Sequence, residues 1–199
     1  KMRIGVCGVG TVGSSLINLI KKNKDEIGRK LEDDISIHQV ASRRENPQYD
    51  LSGINITHDI FQVAVNPNID VLIELIGGVE DAKELVLLAV KNQKHVITAN
   101  KALIAMHGPE IFSAARQMGV CVLFEAAVAG GIPIIKSIRE GLVGNVITRI
   151  AGILNGTSNF ILSEMASQKQ PRDFYEVLKE AQKKGYAEAD PSFDVNGMD

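Results

Sequence analysis

Short apolar runs alternate with stretches in which apolar residues recur every three or four positions along this 199-residue chain, the pattern of parallel strands joined by crossover helices. Arg3–Gly8 predicts a first strand, and Thr11–Lys22 predicts a helix with Val12, Leu16, Leu19 and Ile20 on one face. Ile35–Ala41 reads as a second strand, followed by a polar loop over Ser42–Asp50. Ile69–Ile76 is a third strand, Asp81–Gln93 a helix with Leu85, Leu88 and Ala89 sharing a face, and His95–Thr98 a fourth strand. A helix over Pro109–Met118 then leads into a buried strand at Val120–Glu125, so a first domain is expected over 1–128.

Beyond it, Ile132–Glu140 predicts a helix with Pro133 in its first turn, where the missing N–H costs nothing. Thr148–Leu154 alternates weakly like a strand, and Asn159–Ser167 and Arg172–Lys184 read as helices. No internal repeat or low-complexity segment interrupts the pattern, and a second domain is expected over 129–199.

Composition narrows the classes. With 45% hydrophobic residues the chain fills a real core. Net charge is −2 with acids and bases interspersed, which argues against nucleic acid or an anionic membrane as partner. Cys7 and Cys121 both fall in apolar strand-like runs and read as core thiols, consistent with a reducing compartment. No apolar stretch reaches the roughly 18 residues that a membrane span needs, and the chain opens into a strand instead of a signal peptide, so a cytoplasmic location is expected. His38, His58, His95 and His107 are scattered without ligand spacing and read as structural or surface residues.

The chemistry begins at Gly8-Val9-Gly10-Thr11-Val12-Gly13, a G-x-G-x-x-G between an apolar strand and an amphipathic helix. Gly8 would make the tight turn, Gly10 would admit a pyrophosphate to the backbone, and Gly13 would let helix and strand approach. The helix start at Thr11 and Val12 would present N–H groups and partial positive charge to phosphates. The expected fold class is therefore α/β, a Rossmann-type parallel sheet, with a second region that follows it. Strand two ends Ala41-Ser42-Arg43-Arg44, with no acid until Glu45. Arg43 is either a partner for the 2′-phosphate of NADP or a solvated turn residue; NADP is favoured, and NAD stays open. Gly77-Gly78 follows strand three at the sheet edge where ligands bind in such folds, as a cofactor cradle or an ordinary loop.

Two further segments suggest a carbonyl substrate. Thr98-Ala99-Asn100-Lys101 ends strand four, and the Lys101 ammonium is either solvated or placed where negative charge builds on a carbonyl oxygen as hydride arrives. The run Gly185–Asp199 concentrates Glu188, Asp190, Asp194 and Asp199 among Gly and Pro residues, as an amino-group site, as a cluster that positions a catalytic lysine, or as a solvated acidic loop.

The segment Ala181-x-x-x-Gly185-Tyr186-Ala187-Glu188-Ala189-Asp190-Pro191-x-x-Asp194-Val195-x-Gly197-x-Asp199 resembles the signature of homoserine dehydrogenases. The N-terminal glycine loop, Thr98–Lys101, Glu125-Ala126-Ala127-Val128-Ala129-Gly130-Gly131-Ile132-Pro133 and Asn155-Gly156-Thr157-Ser158-Asn159 agree with it in order. The resemblance implies a Rossmann-type domain followed by a partial α/β substrate-binding domain whose sheet forms the dimer interface, and NAD(P)-dependent interconversion of L-aspartate 4-semialdehyde and L-homoserine, in the route to threonine, methionine and isoleucine, by a homodimer. It implies that Glu188 and Asp194 hold the substrate's amino end, that Thr157 contacts substrate, that Lys101 binds near the reacting centre, and that Asp199 orients a catalytic lysine. It also implies a monovalent cation, usually sodium, on the backbone carbonyls of Glu125, Val128, Gly130 and Ile132. The family's pattern continues Gly-x-Asp-x-x-x-Lys, whereas this chain ends at Asp199. A piece that binds dinucleotide but turns over poorly is therefore expected. Two alternatives remain at this level: a Rossmann oxidoreductase acting on another amino-acid-derived aldehyde, and a non-catalytic NAD(P)-binding module.

Overall fold

In the computed structural model, which describes residues 1–43, 50–152, 155–167, 172–187 and 191–192, the apolar runs form a six-stranded sheet. Its strands are β1 (Met2–Cys7), β2 (Ile35–Ala41), β3 (Asn55–Thr57), β4 (Val71–Glu74), β5 (His95–Thr98) and β6 (Val122–Leu123). Every pairing is parallel, and the order is β3-β2-β1-β4-β5-β6. The order reverses between β1 and β4, which opens a crevice at the carboxyl ends of those strands.

Alternation along the strands feeds two apolar layers. Ile4 and Val6 of β1, with Val71 and Ile73 of β4, pack with Ile17 and Ile20 of helix α1 (Thr11–Lys22) on one face. Leu72 lies on the other face among Val63 and Ala64 of α3 (Ile60–Val65), Leu85 and Ala89 of α4 (Glu80–Lys91), and Leu103 and Ile111 of α5 (Lys101–Met118).

Helix α1 has the expected ends but a different inward face. Gly13, Ser14, Ile17 and Ile20 are buried while Val12 and Leu19 are exposed, because the close approach at Gly13 sets the helix's rotation. Three short elements in the gaps of the sequence reading are also present: β3, α3 and helix α2 (Lys24–Leu31). Helix α2 buries no residue, so it carries no apolar stripe to read; exposed Glu26 pairs with Arg29 and Lys30 on its surface. Helix α5 starts at Lys101, ahead of the expected Pro109, which lies inside the helix. Asn100 begins it by accepting from the Leu103 N–H at 3.0 Å, and a side-chain cap is a stronger start than a proline. Strand β6 is shorter than expected and Cys121 is exposed, so only Cys7 is the core thiol expected of both. No strand forms over Thr148–Gly152, since no ladder partner pairs with it among the described residues; residues 153 and 154 lie outside them.

The amino edge of the sheet is fastened by charge. The Arg3 guanidinium pairs with both oxygens of Asp70, through Nη2 at 2.8 Å and Nε at 3.1 Å, and the Arg3 N–H donates to the same carboxylate at 2.8 Å. Nearby, buried Lys94 donates through Nζ to the carbonyls of Asn66 at 2.6 Å and Ile69 at 3.0 Å.

The chain forms two compact units, Lys1–Gly141 and Leu142–Asp199. The expected boundary lay at 128/129; the first unit runs on because the Glu125 carboxylate accepts from the N–H groups of Ile135 and Lys136, at 2.9 and 2.8 Å. Those donors belong to the short helix α6 (Ile134–Lys136), whose first turn is thereby tied back to the segment after β6. In the second unit, α7 (Gly156–Met165) and α8 (Phe174–Lys183) pack through Ile161, Val177 and Ala181. Asn155 and Asp173 cap the two helices.

Hydrogen bonds from Arg3 hold the Asp70 carboxyl below the usual carboxylate range. A depressed folded-state pKa contributes stability above the unfolded value, and that contribution is lost as pH falls through the folded one. Asp70→Asn is therefore expected to lower the melting temperature at neutral pH and to shrink the difference as pH drops below about 4, measured by thermal denaturation across a pH series.

Candidate functional site

The first turn at the carboxyl edge is dictated by glycines. Gly8 has φ +103°, a conformation that L side chains rarely adopt, and a Cβ there would stand 2.5 Å from the Leu75 carbonyl oxygen. A Cβ on Gly13 would stand 2.0 Å from the Gly8 carbonyl oxygen, so helix α1 packs on the turn only because that position has no side chain. Gly10 differs: a Cβ there would meet nothing within 4 Å, so its surroundings are open. Gly10 is also the N-cap of α1, which has no side-chain cap and no acid in its first turn. Thr11 and Val12 are exposed beside it, and this helix start offers N–H groups and positive potential to an anion.

The second turn leaves β4. Gly77 and Gly78 both adopt left-handed backbone, at φ +70° and +72°, and a Cβ on either would meet nothing within 4 Å. This turn is tied to β5 and α5 by Glu74, which the sequence reading did not single out, and by Thr98 and Asn100 of the Thr98–Lys101 motif. Glu74, fully buried, accepts from the Ile76 N–H through Oε1 at 2.9 Å and from the Thr98 hydroxyl through Oε2 at 2.5 Å. Thr98 Oγ1 accepts from the Asn100 N–H at 3.0 Å, and Asn100 Nδ2 donates to the Gly78 carbonyl at 2.5 Å. Glu74 was discernible as the second of two acids, after Asp70, in the apolar run Ile69–Ile76, three residues before the glycine pair. Cys7 lies beside it in register; burial, then the charges of Glu74 and Asp59, push its thiol up to about 12, so it is no nucleophile at neutral pH.

Lys101 is exposed as the first residue of α5, so Gly8, Gly10, Gly13, Gly77, Gly78, Thr98 and Lys101 all stand at the carboxyl edge of one sheet. Arg43 follows β2 at the same edge and reaches Asp81 at 3.4 Å, with both side chains largely exposed. A pair so exposed contributes little to stability and leaves the guanidinium open to a competing anion.

The remaining expected residues fall elsewhere. Glu125 opens a 3-10 turn over Glu125–Ala127. Its carbonyl accepts from the Val128 N–H at 3.2 Å, and the Ile132 carbonyl accepts from the Ile134 N–H at 2.8 Å. Left-handed backbone at Ala129 (φ +46°) and Gly131 (φ +84°) brackets Gly130 between them. In the second unit Thr157 is nearly buried and donates to the Tyr186 carbonyl at 2.6 Å, which leaves its oxygen as an acceptor. Glu188, Asp194 and Asp199 lie outside the described residues. No group of three or more His, Cys, Asp or Glu side chains with metal-binding geometry occurs among the described residues. No helix among them is long and apolar enough to cross a membrane.

Comparison with known proteins matches residues 8–125 to the family described as homoserine dehydrogenase, NAD binding domain, and residues 133–199 to the family described as homoserine dehydrogenase. A homoserine dehydrogenase of Pseudomonas aeruginosa is 59% identical over 198 residues, covering 100% of this chain and 45% of that protein. One from Neisseria gonorrhoeae is 49% identical over 199 residues, with 100% and 45% covered. The crystal structure of a homoserine dehydrogenase from Thiobacillus denitrificans superposes with a TM-score of 0.89 at 51% identity, covering 98% of this chain and 45% of that one. The chain thus spans less than half the length of these relatives.

The two glycines of the first turn should separate by stability. Gly13→Ala, driven against the Gly8 carbonyl, is expected to cost about 1–3 kcal/mol or more, whereas Gly10→Ala should stay within about 1 kcal/mol of the parent. Urea denaturation of the two variants measures the difference.

Proposed function

The chain belongs to the homoserine dehydrogenase family, and on that footing we propose that the protein carrying it interconverts L-aspartate 4-semialdehyde and L-homoserine with a nicotinamide dinucleotide. The observation that carries this reading is the pair of glycine turns flanking the strand-order reversal, with open space at Gly10, Gly77 and Gly78 where side chains would otherwise stand. Such a cradle fits a pyrophosphate at the α1 N-terminus and a flat ring amide near the second turn. The dinucleotide, when bound, supplies or accepts the hydride.

The chain's own groups bind and orient. Gly8, Gly10, Thr11, Val12 and Gly13 form the phosphate turn, and Gly77, Gly78 and Thr98 face the nicotinamide side. Arg43, its guanidinium exposed, pairs with a 2′-phosphate, which makes NADP the favoured cofactor. Lys101 holds its ammonium where the substrate oxygen gains charge. Glu188 and Asp194 take the amino end, Thr157 contacts substrate, and Asp199 orients the proton-exchanging lysine of the family pattern. The carbonyls of Glu125, Val128, Gly130 and Ile132 suit a hard monovalent cation such as sodium, two of them keeping a lone pair beyond their backbone bonds. Residues 1–128 carry the dinucleotide, and 129–199 begin the substrate-binding and dimerisation region of a cytoplasmic homodimer.

In the protein that carries this chain, homoserine-dependent reduction of NADP should be readily measured by absorbance. Lys101→Met should lower kcat by about 10²–10³ while dinucleotide still binds. Dinucleotide binding without turnover of homoserine or the semialdehyde would overturn the assignment. Arg43→Ala should weaken NADP about tenfold or more, one charge-assisted contact's worth, and leave NAD nearly unchanged; equal losses for both cofactors would remove Arg43 from the site.

A further inference from the structure

We infer that Glu74 is a positioning residue for the dinucleotide: its buried carboxylate sets the Gly77–Gly78 turn against the start of α5, and so fixes the floor on which the nicotinamide half rests. The inference deepens the oxidoreductase reading and rests on it.

Glu74 is the most deeply buried polar side chain among the described residues, on the sheet face of Leu72, Leu85 and Leu103. An ionisable group so placed costs desolvation free energy that only well-made hydrogen bonds offset. Its two oxygens spend their bonds on two different segments, the Ile76 N–H of the turn after β4 and the Thr98 hydroxyl at the end of β5. The chain of bonds then continues from Thr98 to Asn100 and returns from Asn100 to the Gly78 carbonyl. The circuit closes around the two glycines, whose left-handed backbone has no side chains of its own to hold it. Asn100 also caps α5 through Leu103, so the placement of Lys101, the next residue, is set by the same circuit.

A carboxylate is the group this position needs. Both of its oxygens accept, whereas a glutamine that keeps the Ile76 N–H on its oxygen turns its amide donor on Thr98 and forces that hydroxyl to change from donor to acceptor. Glu74→Gln keeps the volume and breaks the pattern of donors and acceptors. Thr98→Val removes the hydroxyl that links Glu74 to Asn100.

In the protein that carries this chain, Glu74→Gln and Thr98→Val should each raise the Kd for reduced dinucleotide about tenfold, as for loss of one bond to a charged group. The double variant should lose no more than the worse single one, because both cut one circuit. Amide exchange at Gly77 and Gly78, followed without dinucleotide, should quicken in Glu74→Gln. Leu85→Ala, buried on the same face but outside the circuit, should lower the melting temperature without moving the Kd or that exchange. Glu74→Gln with unchanged Kd and exchange, or with a Kd loss that Leu85→Ala reproduces, overturns the inference. Wild-type protein that binds no dinucleotide overturns the oxidoreductase reading instead, and the exchange at Gly77 and Gly78 then decides for or against the circuit by itself.

Discussion

Helix α1 approaches the turn before it so closely that a methyl group on Gly13 would lie 2.0 Å from the Gly8 carbonyl oxygen. The contact aims the helix N-terminus at the place where strand order reverses, and it rotates the helix so that Ile17 and Ile20 point into the sheet while Val12 is left outside. It also holds Gly8 against the Leu75 carbonyl, which connects the first turn to the segment leading into the second. One steric constraint thus positions both turns of the cradle. The apolar layers supply most of the free energy of folding, and the glycine contact sets how helix α1 is rotated as it packs on them.

The two edges of the sheet solve opposite problems. At the amino edge the backbone is closed by charge, with Arg3 clamped on Asp70 and Lys94 buried against two carbonyls. At the carboxyl edge the residues are small, the turns are left-handed, and the polar groups are knitted among themselves through Glu74, Thr98 and Asn100. Rigidity at one edge permits openness at the other without loosening the sheet, because both edges share the same four- to seven-residue strands. Fixed dipoles at a site reorganise little when charge moves, and a turn held by a buried carboxylate fits that requirement.

How much of this was legible depended on how each element earns its burial. Strands β2 and β5 and helix α1 were read with their observed ends, since each shows a short β-branched, apolar-rich run or a 3.6-residue stripe next to a clear turn. Helix α2 was invisible because five of its eight residues are charged and none is buried. Strand β3 and helix α3 were too short to establish a period. At the site, the glycines could be read because φ and space restrict them to one residue type. Glu74 stood out as an acid in an apolar run, but its role could not be read, because that role comes from Thr98 across the ladder, a neighbour that no local window contains. The start of α5 was misplaced for a related reason: Pro109 is a conspicuous marker, and the cap that matters is the less conspicuous Asn100.

The fold also sorts its two cysteine thiols. Cys7 is sealed in the centre of the sheet with its thiol held protonated, while Cys121 stands in solvent at the outermost strand. Of the thiols in residues 1–199, alkylating reagents therefore find a single exposed address. A fluorophore or spin probe attached there would report from the rim of the sheet.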